Sequence, residues 1–237
     1  MQRSDFDIDS LAAFLHITPA QVTKMVERGR LPGRKVGGKW RFSAAEIHHW
    51  LEERIGASDD EDLVAVERIL DRGSDAATAV SLAEVLTTAT IAVPLSARTR
   101  SSVITSMCRL AAQSGWLWDP QQMADAVKAR ESLHPTALDN GVALLHPRRP
   151  QSAILAQAVV ALGITSHGLP FGGPVPTDVF FLLAATSDAE HLRLLARVSR
   201  IIGMPDVLPR LRGAMSADEA LEVMLSAEAS LRDGNIT

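Results

Sequence analysis

The sequence predicts a multidomain protein in which a small, mostly helical winged helix-turn-helix domain precedes a larger α/β domain. Near the N-terminus, Thr18-Pro19 separates two short amphipathic segments, and Gly37-Gly38 divides a basic, aromatic stretch into two short strands. From about residue 79 onward, apolar runs of strand length alternate with amphipathic runs of helix length, which is typical of α/β domains. A chain of 237 residues is long enough for both domains to bury a core.

The composition is that of an ordinary globular protein, with 46% hydrophobic and 22% charged residues. Cys108 is the only cysteine, so no internal disulfide can form, and a reducing compartment fits best. The first residues lack the basic and then apolar pattern of a signal peptide, and no apolar run approaches the ~18 residues of a membrane span. We therefore expect a cytoplasmic protein with no membrane segment.

Charge is distributed unevenly along the chain, whose formal net charge is −4. Between Lys24 and Arg41 there are seven basic residues and a single acidic one, Glu27. A local basic cluster of this kind is typical of a surface that binds a polyanion such as DNA.

The first 55 residues contain the signals of a winged helix-turn-helix. Residues 7–17 form a first amphipathic helix, and Thr18, Pro19 and Gln21 make a capping box that opens a second helix. Gly37-Gly38 suits a two-residue hairpin turn, with Val36, Trp40 and Phe42 expected to pack inward. Residues 43–46 (Ser-Ala-Ala-Glu) form another capping box at the start of a third helix.

This order of elements, in LAAFLHITPAQVTKMVERGRLPGRKVGGKWRFSAAEIHHWLEER, resembles the excisionase/MerR-like winged helix-turn-helix DNA-binding domain. The second helix can enter the major groove of double-stranded DNA, while the basic hairpin lies along the phosphates. The alternative is a solvated charged hairpin on a small adaptor domain. On the DNA-binding interpretation, the groove-facing side chains are Thr23, Lys24, Glu27 and Arg28, and the phosphate-facing ones are Arg34, Lys35, Lys39 and Arg41.

The sequence places a domain boundary at the acidic segment 56–62. We expect a winged helix-turn-helix domain over 1–55, an acidic linker with a connector helix (63–72) over 56–78, and the α/β domain over 79–237. Within that last domain the patterns predict the following elements: a short helix at 82–86, helices at 98–113 and 119–131, a Gly/Pro-rich loop at 168–176, helices after Ser187 and Ser216, and strands at 91–95, 142–145, 154–164 and 178–185.

The stretch from Arg130 to His146 carries the candidate chemistry of the α/β domain. An Arg-Glu pair ends a helix, turns follow, and the apolar tetrad 142–145 delivers His146 at the end of a strand. This stretch resembles the active-site segment of enzyme IIA domains of the bacterial phosphotransferase system, of the mannitol/fructose and nitrogen-regulatory type. The segment DVFFLLAATSDAEHLRLLARVSRII is similar to the strand and helix that carry the second active-site histidine of that family.

The resemblance implies an α/β sandwich with a central mixed sheet. It also implies that His146 accepts a phosphoryl group from a phosphorylated histidine carrier protein, beside His191 as the neighbouring histidine and Arg130 as the phosphate partner. The segment departs from the family pattern, however, because Leu145 and Pro147 flank His146 where the family has Pro-His-Gly. Proline removes a backbone N–H donor beside the acceptor, although Arg148-Arg149 add positive charge.

Several alternatives remain open from the sequence. Arg130 could simply interact with carbonyl groups at its helix end, and a strand-end histidine is often structural, as we expect for His134 and His167. No metal-ligand spacing and no phosphate-binding glycine loop is visible, so no cofactor is expected. We interpret the chain as a homodimeric transcriptional regulator controlled by phosphorylation. The rivals are a sensor that never accepts phosphate and a phosphocarrier that serves a transporter.

Overall fold

The computed structural model describes residues 5–15, 17–44, 46–47, 50–51 and 81–232. The chain divides into two compact units, residues 1–79 and 80–237. The acidic segment 56–62 and the connector helix expected over 63–72 lie outside the described residues. Among the helices that are described, none is long and apolar enough to cross a membrane.

The N-terminal unit begins with two helices whose contact forms its core. Thr18 caps the second helix as expected, since its side chain accepts from the Gln21 N–H while the Gln21 side chain accepts from the Thr18 N–H. Residues 44, 46, 47, 50 and 51 are also helical. The bounds are α1 Ile8–Leu15, α2 Pro19–Glu27, β1 Arg34–Val36 and β2 Lys39–Arg41.

The hairpin β1–β2 turns at Gly37 and Gly38, whose φ angles are 58° and 78°. Positive φ angles at both positions suit a two-residue hairpin turn, and glycine adopts them with little strain. The expectation that Val36 packs inward is wrong, because Val36 is 55% exposed. The turn pairs Val36 with Lys39, so Val36 shares the face of that lysine and not the face of Phe42, which is fully buried.

The second unit is an α/β sandwich built on a four-stranded mixed sheet in the order β3-β5-β6-β4, which confirms the expected fold class. Strands β3 and β5 are parallel, β5 and β6 antiparallel, and β6 and β4 parallel. The bounds are α3 Leu82–Val85, β3 Ile91–Ala92, α4 Arg100–Ala111, α5 Pro120–Glu131, β4 Val142–Leu145, β5 Val159–Leu169, β6 Thr177–Ala184, α6 Asp188–Gly203, α7 Val207–Gly213 and α8 Ala217–Arg232.

Two strands differ in extent from the sequence expectation. Strand β3 is shorter than 91–95, because Pro94 has no N–H to continue the ladder. Strand β5 begins later than 154, since Ile154 lies in a turn that its N–H closes on the Gln151 carbonyl. It also runs on through Gly168 into part of the region expected to be a loop.

Both faces of the sheet are covered, as a mixed sheet inside an α/β sandwich requires. On one face, alternate residues of β4, β5 and β6 pack with the apolar sides of α4 and α5 around the fully buried Met107 and Phe180. The strand residues of opposite phase, such as Val160 and Phe181, are fully buried as well, and α6 and α8 contact the sheet through β6 and β3.

A buried carboxylate ties the last helix to the start of α3. Glu228, which is 4% exposed, accepts from the Leu82 N–H at 2.9 Å and from the Ser81 hydroxyl at 3.1 Å. The same carboxylate forms an ion pair of 2.9 Å with Arg197 on α6. Glu228 therefore supplies the acceptor that the first N–H of a helix needs, a role that the side chain of Ser81 does not perform.

Candidate functional site

His146 lies directly after β4, at the edge of the sheet where that strand ends. It is 3% exposed, and its Nδ1 lies 2.8 Å from the carbonyl oxygen of Leu144. A carbonyl oxygen can only accept a hydrogen bond, so this contact assigns the proton of a neutral ring to Nδ1. The lone pair then lies on Nε2, which is enclosed by protein atoms.

His191 reaches the same edge from the neighbouring strand. Strands β4 and β6 are parallel, with Leu145 opposite Leu182, so the residues that follow the two strands meet. After β6, Ser187 caps α6 by accepting from the Glu190 N–H at 3.2 Å, and His191 closes the first turn of that helix. The two histidine rings lie with their centroids 4.8 Å apart at an angle of 46°. The structure thus brings His146 and His191 together.

The cap of α6 is not a full capping box. In a capping box the Glu190 carboxylate would accept from the Ser187 N–H. Instead, that carboxylate accepts from the N–H and the hydroxyl of Thr186, each at 2.8 Å. The carboxylate therefore fixes the chain one residue earlier, between the end of β6 and the turn that carries His191.

Arg130, in the last turn of α5, is 8% exposed. Its Nη1 donates to the carbonyl oxygen of His134 at 2.9 Å, just beyond the end of the helix. This is the helix-end contact that the sequence analysis gave as the alternative role of Arg130. The role of Arg130 as a phosphate partner stays a prediction. The other two histidines of this region, His134 and His167, are exposed.

A chain of hydrogen bonds connects α5 to His146. The Glu131 carboxylate, buried at the end of α5, accepts from Arg100 Nη2 at 2.6 Å, from the Thr136 N–H at 3.1 Å and from the Thr136 hydroxyl. The Thr136 carbonyl oxygen accepts from the Leu144 N–H at 3.2 Å, and the Leu144 carbonyl faces the His146 ring. These contacts hold the backbone before the histidine in one position.

This support could not be foreseen from the sequence. The Arg-Glu pair at the end of a helix and the nearby threonine were visible, but nothing local pointed to Arg100, which is 31 residues from Glu131. Pro147 is buried, whereas Arg148 and Arg149 are exposed. Within the described residues, no group of three or more His, Cys, Asp or Glu side chains could hold a metal ion.

The residues suggested for DNA binding all lie on the N-terminal unit. On α2, Thr23 is half-buried and its hydroxyl donates to the Pro19 carbonyl, while Lys24 and Glu27 are exposed. Arg28, the residue that follows α2, is exposed as well. The other four residues lie on the hairpin. Arg34 forms an ion pair with Asp5 at 2.9 Å, and Arg41 forms one with Asp7 at 3.7 Å. Lys35 Nζ lies 5.0 Å from the centroid of the Trp40 ring, and Lys39 is exposed.

Comparison with known proteins assigns both units. The family model "Phosphoenolpyruvate-dependent sugar phosphotransferase system, EIIA 2" matches residues 84–227, and the model "Helix-turn-helix domain" matches residues 6–55. The fructose-specific EIIABC component of Bacillus subtilis is 26% identical over 149 residues, which is 61% of this chain and only 23% of that protein. The nitrogen regulatory protein of Pseudomonas aeruginosa is 26% identical over 151 residues, which is 63% of this chain and 97% of that protein.

Solved structures agree on the fold of the second unit. Enzyme IIA mannitol of Escherichia coli superposes with a TM-score of 0.53 at 23% identity, covering 59% of this chain and 98% of that one. Nitrogen regulatory protein IIA-Ntr of Neisseria meningitidis gives 0.55 at 23% identity, covering 61% and 99%. A complex of the E. coli mannitol enzyme IIA with phosphorylated enzyme IIB gives 0.53 at 22% identity, covering 60% and 97%. Since the EIIA 2 model matches more than half of the chain, this protein belongs to the phosphotransferase-system EIIA 2 family and carries a helix-turn-helix domain before its EIIA domain.

Proposed function

We propose that this chain is a cytoplasmic DNA-binding transcriptional regulator whose EIIA domain senses phosphotransferase-system status through phosphorylation of His146. The observation that carries the proposal is the buried pair of His146 and His191 in a chain that also holds a helix-turn-helix domain. The domain limits that we propose are 1–55 for DNA binding, 56–78 for the linker and 79–237 for the sensor.

The hydrogen bond at Nδ1 of His146 suits Nε2 for the role of nucleophile. The Nε2 lone pair would attack the phosphorus of a phosphohistidine on a carrier protein, forming one N–P bond while the N–P bond of the donor breaks. The imidazole of the donor leaves with the electron pair. The Leu144 carbonyl, 2.8 Å from Nδ1, stabilises the positive charge that develops on the attacking ring.

The surroundings of His146 favour the charged product. A phosphohistidine carries about two negative charges by analogy with other phosphorylated side chains. Arg130 would pair with that charge, as the family resemblance implies. His191 lies in the first turn of the 16-residue helix α6, where backbone N–H groups favour anions. Because Nε2 of both rings is enclosed, transfer also requires the side chains above the pair to move aside.

A direct test is intact mass after incubation with a phosphorylated histidine carrier. The wild type and His167→Ala, which removes an exposed histidine of the same domain, should each gain one acid-labile phosphoryl group. His146→Ala should gain none while keeping the circular dichroism spectrum of the wild type. Absence of a gain in the wild type, with a donor that phosphorylates another EIIA domain, would refute the acceptor role.

The second candidate function is a sensor that binds a ligand or protein without being phosphorylated. Two observations favour it: Pro147 removes a backbone donor next to His146, and the acceptor nitrogen is enclosed. In that case the wild type would stay at its unmodified mass in the experiment above, while operator binding would still respond to the unidentified effector.

DNA binding by the N-terminal domain is proposed from the exposed face of α2 and the basic hairpin. Arg34, Lys35, Lys39 and Arg41 would contact phosphates, which give affinity without sequence preference. Replacing all four by alanine should weaken binding to every duplex alike and flatten the salt dependence, since each phosphate contact contributes a slope of about −0.9. Unchanged affinity in the quadruple variant would exclude the hairpin from the interface.

We further propose a homodimer that reads two half-sites, because one small helix-turn-helix contacts few base pairs. Sedimentation of the full chain with a duplex that contains a palindromic operator should show two chains per duplex. One chain per duplex at saturation would refute the dimer.

A further inference from the structure

We propose that Asp5 and Asp7 compete with DNA phosphates for Arg34 and Arg41, and so set the affinity of the hairpin for DNA. This inference rests on the proposed DNA-binding function and adds a regulatory element to it. The two carboxylates act as an internal substitute for the backbone of the duplex.

The segment that carries the two aspartates is fixed against the hairpin. Phe6 and Phe42 exchange two backbone hydrogen bonds of 2.8 and 2.9 Å, which form an isolated antiparallel bridge next to β2. The Phe6 ring stacks on Phe14 of α1 with centroids 5.0 Å apart, and Phe42 is fully buried. Side chains alternate along an extended segment, so Asp5 and Asp7 project on the side opposite Phe6.

That side is the one on which the hairpin carries its arginines. Arg34 and Arg41 are directly paired across β1 and β2, so they lie on one face of the ribbon. Asp5 Oδ2 lies 2.9 Å from Arg34 Nη2, and Asp7 Oδ2 lies 3.7 Å from Arg41 Nη1. In the structure, therefore, each of these guanidinium groups already faces an anion.

Asp7 remains ionised over the whole physiological range. The Ser10 N–H and hydroxyl donate to its carboxylate at 2.8 and 2.6 Å, and these hydrogen bonds lower the pKa of Asp7 below its ordinary value. Asp7 is also the N-terminal cap of α1: its carboxylate accepts from the Ser10 N–H, and its carbonyl oxygen accepts from the Leu11 N–H. Any test must therefore remove the charge and keep the cap.

The pairs are exposed enough to exchange with a duplex. The side chains of Arg34 and Asp5 are 63% and 39% exposed, and those of Arg41 and Asp7 are 40% and 53% exposed. Exposed pairs of this kind contribute little to stability, so each arginine can leave its carboxylate for a phosphate. Binding then replaces one anion by another, and the carboxylates left behind repel the DNA. Both effects lower affinity.

The test is Asp5→Asn/Asp7→Asn in the full chain, because asparagine caps helices as well as aspartate does. The control is Asp9→Asn, which removes an exposed charge from the first turn of α1. Fluorescence anisotropy with a random duplex over a series of salt concentrations measures both affinity and slope. We expect the double variant to bind about tenfold or more tightly at low salt. Its slope should be steeper by up to ~2, because the two arginine–phosphate contacts no longer leave behind carboxylates that take up the released cations. The control should stay within about twofold of the wild type at the higher salt concentrations of the series, where the long-range effect of an exposed charge is screened.

The outcomes separate this inference from the proposed function. If wild-type binding depends on the basic hairpin and the double variant binds no more tightly than Asp9→Asn, the inference is overturned and the proposed function stands. If neither the wild type nor any variant binds duplex at any salt concentration, both the inference and the proposed DNA binding are overturned. If adding Arg34→Ala and Arg41→Ala removes the gain of the double variant, the competition for these two arginines is supported.

Discussion

The buried carboxylate of Glu131 should be essential to the stability of the EIIA domain, and Glu131→Gln tests this directly. The side chain of Glu131 is 2% exposed, and its carboxylate accepts from Arg100 and twice from Thr136. An amide keeps the shape but loses the ion pair, and its NH₂ group must face either Arg100 or the Thr136 N–H, which can only donate. Whichever way the amide turns, at least one of these donors therefore loses its side-chain acceptor.

The expected cost follows from the exposure of the two partners. Removing one member of a fully buried ion pair costs about 3–5 kcal/mol. Arg100 is 36% exposed on its side chain, so water can solvate it after the change, and the expected loss falls to about 2–3 kcal/mol. A loss of this size raises the population of the opened domain roughly 30- to 140-fold, since 1.4 kcal/mol corresponds to a factor of ten.

Cys108 gives an assay that reports on this domain alone. It is the only cysteine of the chain, lies on α4 and is fully buried, so alkylation of its thiol measures the opened population when opening is fast relative to labelling. Glu222→Gln, which removes an exposed carboxylate from α8, is the matched control. Labelling of Glu131→Gln at the rate of the control would refute the argument that this carboxylate is structurally essential.

Three other properties of the chain can be tested in solution. In the native wild type, Cys108 should resist iodoacetamide at pH 8 and gain one adduct in urea, because burial raises the pKa of its thiol to about 12; a native adduct would contradict this. Gly141→Ala should destabilise by at least ~1 kcal/mol more than Gly115→Ala in urea unfolding, since both have a positive φ but only at Gly141 would a Cβ meet a side chain, 2.7 Å from Arg212 Nη2. Hydrogen bonds hold the pKa of Asp7 below 3.8, so the stabilisation of the folded domain by the ionised carboxylate is fully present above pH 3.8 and is lost as the pH falls through the lowered pKa. Asp7→Asn should therefore flatten this part of the acid unfolding curve.

Local signals in the sequence predicted the elements whose causes are local. The capping residues Thr18 and Asp119 open α2 and α5 through their own side chains. The apolar tetrad before His146 forms β4, because four consecutive buried residues suit a strand that is covered on both faces. In these places the hydrogen bonds that decide the structure lie within a few residues of one another.

Features that depend on pairing could not be predicted in this way. The exposed position of Val36 is set by which residues the turn places opposite each other, and a shift of one position reverses the faces. The meeting of His146 and His191 depends on β4 and β6 being parallel neighbours, which no spacing in the sequence reveals. That part of the site came from the family resemblance. The contact between Arg100 and Glu131 has no local signal at all.

The bond between Glu228 and Leu82 has a consequence for how this domain can be used in larger proteins. It places the start of the domain, at Leu82, within 2.9 Å of a side chain in its last helix. The first described residues of the domain therefore lie close to a residue near the end of α8. Such a module can be attached to other sequence at either end, or inserted between two segments, without rerouting a strand of its sheet. Recombination of genes then needs to supply only a workable linker, and the sensing fold can be combined with a new output in a single step.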